Sequence, residues 1–119
     1  MKSIIKSSII LLVIDTIYLS LFAAKPFKLM VERIQNKKVT VNYVYAAITY
    51  ILLMFAFNYF IINKKFTYTE AFFLGTCIYG VFDFTNLALF SNYDIRIGLQ
   101  DSIWGGILFA LSLYIYNLV

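Results

Sequence analysis

Residues 69–90 are TEAFFLGTCIYGVFDFTNLALF, a run of 22 residues whose only charges are Glu70 and Asp83. A helix needs about 20 mostly apolar residues to cross a hydrocarbon core of about 30 Å. Three further windows meet this requirement, at residues 4–24, 41–62 and 97–118. Backbone amides in lipid must be paired within their own segment, and this requirement overrides the strand preference of the many β-branched and aromatic residues. The sequence therefore predicts an all-α membrane protein, with residues 1–119 forming one bundle of four transmembrane helices.

The composition also indicates a membrane protein. Hydrophobic residues make up 62% of the 119 residues, and the mean hydropathy is +0.83. Charged residues make up 13%, about half of the share in a soluble domain. The single cysteine, Cys77, excludes a disulfide within the chain, and the absence of histidine removes the usual partners of a zinc site. We expect no cofactor and no metal.

The net charge of +4 raises the alternative of nucleic-acid binding. The basic residues, however, lie in short segments between the apolar windows and not on one continuous face. This distribution is typical of lysines and arginines that meet lipid headgroups. We expect membrane lipids as partners and no nucleic acid, and we keep a homo-oligomer open.

Residues 25–40 form the longest connection and carry five basic residues among apolar ones. The segment is predicted either as a short amphipathic helix in the membrane interface or as a solvated basic loop. With four spans both termini lie on one side of the membrane. That side carries four basic residues and the other side carries six. The larger number favours a cytoplasmic position for the connection at residues 25–40. Asp94 is predicted to cap the last helix.

Carboxylates inside the spans are the least expected feature of the chain. Counting residues from the connections places Asp15 and Asp83 roughly 15 Å below one surface at about 1.5 Å per residue, with Asp101 nearer to it. An aspartate at the centre of a span costs about 3 kcal/mol on insertion scales, so such residues indicate a functional site. The structural alternatives are neutral acids that tie helices together and, for Asp101, interaction with the helix dipole.

Other polar side chains share the helix faces of these carboxylates. They are Tyr18 with Asp15, Tyr79 and Asn86 with Asp83, and Trp104 with Asp101. Their alternatives are packing contacts for Asn86 and an interfacial aromatic for Trp104. Residues 15–22 also align with residues 83–90 at Asp, two Leu and Phe, which indicates either a parallel repeat or chance.

Residues 79–88, YGVFDFTNLA, and residues 101–105, DSIWG, resemble the signatures of domain-of-unknown-function family 2177, a family of predicted four-helix membrane proteins. Asp15 with Tyr18 and Leu19, and Ala46 with Tyr50, resemble its patterns in the first and second spans. The chain departs from the family at three positions: Phe82, Leu89 and Tyr93. The resemblance implies the four-helix topology and the candidate residues, and it implies no reaction.

Three functions follow from these residues. The first is proton or ion translocation along a ladder of Asp101, Asp83 and Asp15, in an oligomer or as a narrow proton wire. The second is binding or modification of a lipid or other hydrophobic molecule, with its polar head held by Asp83, Asn86, Tyr79 and Asp101, or with Mg²⁺ held by the carboxylates. The third is a structural scaffold or assembly subunit. No strong nucleophile–base pair is visible, so the sequence favours a protein that is not an enzyme.

Overall fold

The computed structural model describes residues 2–119, without the side chain of Lys2. The described residues form helices and their connections, as predicted. The helices are α1 (Lys2–Tyr18), α2 (Ala24–Gln35), α3 (Tyr43–Ala56), α4 (Tyr68–Leu89) and α5 (Ile95–Leu118). The π-helical segment Leu19–Ala23 joins α1 to α2, and a second one, Phe57–Asn63, extends α3.

Three helical runs within the described residues are long and apolar enough to cross a membrane: Ser3–Gln35, Tyr43–Asn63 and Tyr68–Leu89. Helix α5 is equally long but is not among them, because Gln100, Asp101 and Asn117 lower its hydropathy. It is also the helix with the most buried residues. A helix enclosed by others presents less surface to lipid and needs fewer apolar residues, so a fourth span at residues 97–118 stays a prediction.

Side-chain caps fix where the helices begin. Asn42 accepts hydrogen bonds from the amides of Val44 and Tyr45 at 3.1 and 3.3 Å, which starts α3. Thr67 and Glu70 form a reciprocal capping box at the start of α4. Asp94 accepts from the Arg96 amide at 2.8 Å and caps α5, which confirms the prediction from the sequence.

The connection predicted at residues 25–40 is helical over most of its length, since α2 continues to Gln35. Of the two alternatives, its apolar and basic sides fit the amphipathic helix. Met30 is fully buried and accepts the Asp94 amide at 3.2 Å, and Phe27 packs against Phe82 with ring centroids 6.4 Å apart. The basic side chains of the segment are exposed. Helix α2 therefore lies over the end of the bundle where α4 turns into α5.

Helices α4 and α5 form the tightest pair of the bundle. A Cβ atom added at Gly75 would lie 2.1 Å from the Gly105 carbonyl oxygen, and one at Gly106 would lie 2.3 Å from the Thr76 hydroxyl. Glycines let the two backbones touch directly, which is the usual way that membrane helices gain packing energy. Helix α1 packs on another side of α5.

The contacts of α1 set its direction. Asp15 bonds to Trp104 near the start of α5, and Lys6 lies 4.3 Å from the Tyr116 ring near its end. Helix α1 is therefore antiparallel to α5 and runs in the same direction as α4, as a parallel repeat requires. Between these contacts lies the apolar core, whose buried members are Leu11, Leu53, Phe57, Ile61, Ala71, Leu108, Phe109 and Leu113.

Candidate functional site

Asp15 joins three helices. Its side chain is 4% exposed; its Oδ2 accepts the Tyr50 hydroxyl at 2.7 Å and its Oδ1 accepts the Trp104 indole N–H at 3.0 Å. Helices α1, α3 and α5 each contribute one member of this cluster. Because the two oxygens of Asp15 are bonded to two different helices, the cluster ties the three helices together at this level.

Asp83 is fully buried on α4 and faces α5 and the connection before it. Its Oδ1 accepts the Tyr93 hydroxyl at 2.7 Å. Its Oδ2 lies 3.3 Å from the Ser102 hydroxyl, which shares its one hydrogen between this oxygen and the Gly98 carbonyl at 2.8 Å. Burial and, to a smaller extent, the bond to Asp83 raise the pKa of the Tyr93 phenol above its ordinary value. The Asn86 side chain, one turn further along α4, approaches the same hydroxyl.

Asp15 and Asp83 lie at nearly the same level of the bundle. Ser102 and Trp104, which bind Asp83 and Asp15, are two residues apart on α5, so the two carboxylates lie within about 3 Å of the same level. Asp83 is about 9 Å from the end of α4 at Leu89.

Asp101 is half-buried on α5, where its carboxyl group lies against that of Asp83. The structure thus brings the second and third predicted carboxylates, Asp83 and Asp101, together.

The aromatic candidates surround these carboxylates. The Tyr18 ring stacks on Trp104 at a centroid distance of 3.9 Å and an angle of 6°, and its hydroxyl accepts from the Gln100 amide at 2.8 Å. The Tyr79 ring lies on the backbone of Gly105, where an added Cβ would be 2.4 Å from the ring. The Tyr79 side chain reaches the space in front of Asp15 and Asp101.

A cavity of about 410 Å³ occupies this space. Its apolar lining comes from Leu19, Phe27, Ala46, Leu53, Ile78 and Phe82. Its polar lining consists of two carboxyl groups and three hydroxyls, those of Asp15, Asp101, Thr49, Tyr50 and Tyr79. Thr49 on α3 and Phe82 on α4 are exposed, so the cavity reaches the outer surface of the bundle between these two helices. All five helices contribute to its wall.

Positive charge is scarce around this cavity. None of its lining residues is a lysine or an arginine. The salt bridge found within residues 2–119 joins Arg96 to Asp94 at 3.7 Å at the surface, and it involves none of the three carboxylates of the spans. Their partners are hydroxyl and indole donors and one another.

The carboxylates do not form a metal centre in the described chain, where no group of three His, Cys, Asp or Glu side chains has the spacing to hold a metal ion. Asp15 takes its hydrogen bonds from Tyr50 and Trp104, whereas Asp83 lies with Tyr93 and Asp101. The arrangement therefore offers hydrogen-bond acceptors to a cavity more readily than it offers a cage to a hard cation.

Tyr50, Tyr93 and Ser102 donate to the carboxylates but were missing from the predicted site. Each is a neutral residue of a type common in spans, and its spacing along the chain does not relate it to Asp15 or Asp83. The resemblance in the second span pointed to Tyr50, and Tyr93 stands at one of the departures from the family. These three residues are identified as partners of the carboxylates only by the way α3 and the connection at residues 90–94 pack against α5.

The opposite half of the bundle has a different polar contact. Ser7 on α1 donates a short hydrogen bond to the Asn58 side chain in the second π-helical segment, and Asn58 donates to the Met54 carbonyl at 2.8 Å. Buried Leu11 lies between Ser7 and Asp15 on α1, and it packs in the apolar core with Phe57 and Phe109. The carboxylates and the cavity therefore lie in one half of the bundle, and an apolar layer separates them from this pair.

Comparison with known proteins adds a family to this description. No curated protein and no solved structure matches the chain. The profile of a family described as a predicted membrane protein (DUF2177) matches residues 1–116 and confirms the resemblance found in the sequence. With nearly its whole length matched, and with helices long and apolar enough to span a membrane, the chain belongs to the DUF2177 family of predicted membrane proteins.

Proposed function

We propose that this protein binds an amphiphilic molecule dissolved in the membrane and holds its polar end in the cavity between α3 and α4. The observation that carries the proposal is the cavity itself, which presents Asp15 and Asp101 within a largely apolar lining. Its volume of about 410 Å³ is within the range of small-molecule sites, about 300–1,000 Å³. Such sites combine an apolar lining with a few polar groups that fix the orientation of the ligand.

The position of the cavity supports entry from the lipid. Its rim at Thr49 and Phe82 is exposed on the outer surface of the helices. Tyr50 lies about 10 Å from the start of α3, and Asp101 about 9 Å from the start of α5. A molecule whose polar end reaches these residues has its chain at the depth of the acyl chains of one leaflet.

The apolar layer below the cavity favours binding over proton translocation. Asp15 and Ser7 are eight residues apart on α1, about 12 Å, and Leu11 between them is buried. A proton relay needs titratable groups or water along its whole length, and Leu11 is packed at this level in an apolar core with Phe57 and Phe109. Bound water needs two to four polar partners, which these side chains lack.

The cavity also favours binding over a purely structural role. Protein interiors are packed to a density of about 0.75, with few voids larger than a water molecule. A scaffold has no use for a cleft of this volume, or for an aspartate that costs about 3 kcal/mol in a span and faces that cleft. A ligand that donates hydrogen bonds to Asp101 would offset part of this energy.

The proposal is tested by filling the cavity without changing its carboxylates. Ala46 lines the cavity, and the neighbouring Ala47 is exposed on the lipid side of α3. We expect Ala46→Phe to lose bound amphiphile, and Ala47→Phe, the matched control, to retain it. The measurements are native mass spectrometry of lipids that remain bound through purification and thermal stabilisation by added dodecan-1-ol, which a ligand of the folded state must produce.

Both variants must keep the helix content and the unfolding temperature of the wild type in the absence of ligand. Equal retention and equal stabilisation in wild type, Ala46→Phe and Ala47→Phe would refute the proposal, because the bound molecules would then lie on the outer surface of the bundle.

A further inference from the structure

We infer that the ligand of this cavity carries a protonated amine on a hydrophobic chain. This inference rests on the proposed function and names the class of molecule bound. It follows from the hydrogen-bond acceptors that face the cavity, from the charges around it, and from the aromatic residues in its wall.

The first argument is the supply of acceptors. Each oxygen of Asp15 already accepts one hydrogen bond, from Trp104 or from Tyr50. A carboxylate oxygen has two acceptor sites, so each keeps one more. Asp101 faces the same cavity. An ammonium group has three donors and no acceptor, and it matches a set of sites that consists mainly of free acceptors.

The second argument is charge. The cavity wall contains two carboxyl groups and no lysine or arginine, and Asp83 lies directly behind Asp101. Lys25 and Lys28, the basic residues nearest to Phe27 along α2, have exposed side chains. A phosphate or carboxylate head would enter this space against like charge and without a donor of opposite charge, whereas an ammonium would supply the missing counter-charge.

The third argument is the wall itself. The side chains of Tyr50 and Tyr79 line the cavity beside the carboxylates. Aromatic faces attract cations, most strongly where water is excluded, and tyrosines are common in sites that recognise ammonium groups. The hydroxyl of Tyr50 is already engaged with Asp15, so its ring is held in place.

The test uses three molecules of equal chain length that differ at one end: dodecylamine, dodecan-1-ol and dodecanoate. The protein is placed in nanodiscs of zwitterionic lipid at neutral pH, where the amine is protonated. Trp104 is the single tryptophan of the chain and bonds to Asp15, so its fluorescence reports on the site. Affinities are expressed as mole fractions in the lipid, which removes differences in partitioning.

We expect dodecylamine to bind at least about tenfold more tightly than dodecan-1-ol, the effect of one hydrogen bond to a charged group, and dodecanoate to bind most weakly. Asp101→Asn, which keeps the shape of the side chain and leaves the hydrogen bond from Trp104 to Asp15 in place, should reduce the preference for the amine to about threefold or less. Glu70→Gln is the matched control, because it removes one negative charge in the capping box at the other end of α4 and should leave the preference unchanged.

Two outcomes would contradict different claims. Saturable binding of all three molecules with equal affinity, or tightest binding of dodecanoate, would overturn the amine inference and leave the binding site standing. No saturable change with any of the three would instead contradict the proposed function. If Asp101→Asn does not fold, the ranking of the three molecules on the wild type decides the question alone.

Discussion

The contact between α4 and α5 makes a sharp prediction about stability. Gly75→Ala adds a Cβ atom 2.1 Å from the Gly105 carbonyl oxygen and 3.1 Å from the Cα of Gly106. Both neighbours are backbone atoms, so no side chain can rotate away to make room. Ordinary contact begins at 3.4 Å, so the two helices must separate by about 1.3 Å at this point.

The magnitude follows from what such a separation removes. A gap of 0.5–1 Å between packed atoms already loses about a quarter to a half of their dispersion energy. Overpacking of this kind typically costs about 1–3 kcal/mol, and we expect Gly75→Ala near the upper end because the obstacle is backbone. Gly80→Ala is the matched control on the same helix. Its Cβ would lie 3.7 Å from the Ser102 hydroxyl, in ordinary contact, and alanine favours a helix by about 1 kcal/mol over glycine.

The assay is equilibrium unfolding of the purified protein in mixed micelles of increasing denaturing-detergent fraction, followed by circular dichroism and by Trp104 fluorescence. We expect Gly75→Ala to lower the free energy of unfolding by about 2–3 kcal/mol and Gly80→Ala to change it by less than about 1 kcal/mol. Equal effects of the two substitutions would refute the argument, because the backbone contact between α4 and α5 would then not limit their approach.

Three further measurements check other parts of the structure. Tyr50→Phe should lower the free energy of unfolding by about 1.5–3 kcal/mol in the wild type but by much less in an Asp15→Asn background, because the Tyr50 hydroxyl bonds to the Asp15 carboxylate. Equal effects in both backgrounds would contradict this hydrogen bond. The pKa of the Tyr93 phenol is higher in the folded than in the unfolded protein, so the unfolded phenol ionises first as the pH rises. The stability advantage of the wild type over Tyr93→Phe should therefore be constant below about pH 10 and decline above it. Unfolding at pH 8 and pH 11 measures this advantage, and an advantage that does not shrink would be inconsistent with a buried phenol. In proteoliposomes, the wild type should give no proton flux above empty liposomes; a flux that Asp83→Asn abolishes would favour the proton relay instead of the binding site.

The helical architecture was predictable from the sequence because it depends on local properties. Runs of apolar residues decide which segments become membrane helices, and polar residues beside them decide where the helices begin, as Asp94 does for α5. The course of residues 25–40 was open, because the choice between helix and loop depends on the contacts of Phe27 with Phe82 and of Met30 with Asp94, which are both distant in the sequence. Their distant partners cannot be inferred from the segment itself.

The candidate site was predictable only in part. Carboxylates stand out in an apolar sequence, so Asp15, Asp83 and Asp101 could be identified. Their grouping could not, because it depends on which face of α5 each neighbouring helix meets. The sequence placed the polar head of a ligand among Asp83, Asn86, Tyr79 and Asp101. In the structure Asp83 lies against Tyr93 and Ser102, whereas Tyr79 and Asp101 line the cavity together with Asp15.

Because of this grouping, substitution of Asp101 distinguishes a ligand-binding site from a purely structural role. The hydrogen bonds of Asp15 to α3 and α5, and those of Asp83 to α5 and to the connection at residues 90–94, are enough to explain both as structural ties between helices. The polar neighbour described for the Asp101 side chain is the carboxyl group of Asp83, and its other side faces the cavity. A structural role therefore predicts that Asp101→Asn is neutral or stabilising, since an amide relieves the contact between two carboxyl groups. The binding site predicts the same gain in stability together with a loss of ligand affinity, so the two measurements on one variant distinguish a carboxylate kept for packing from one kept for a ligand.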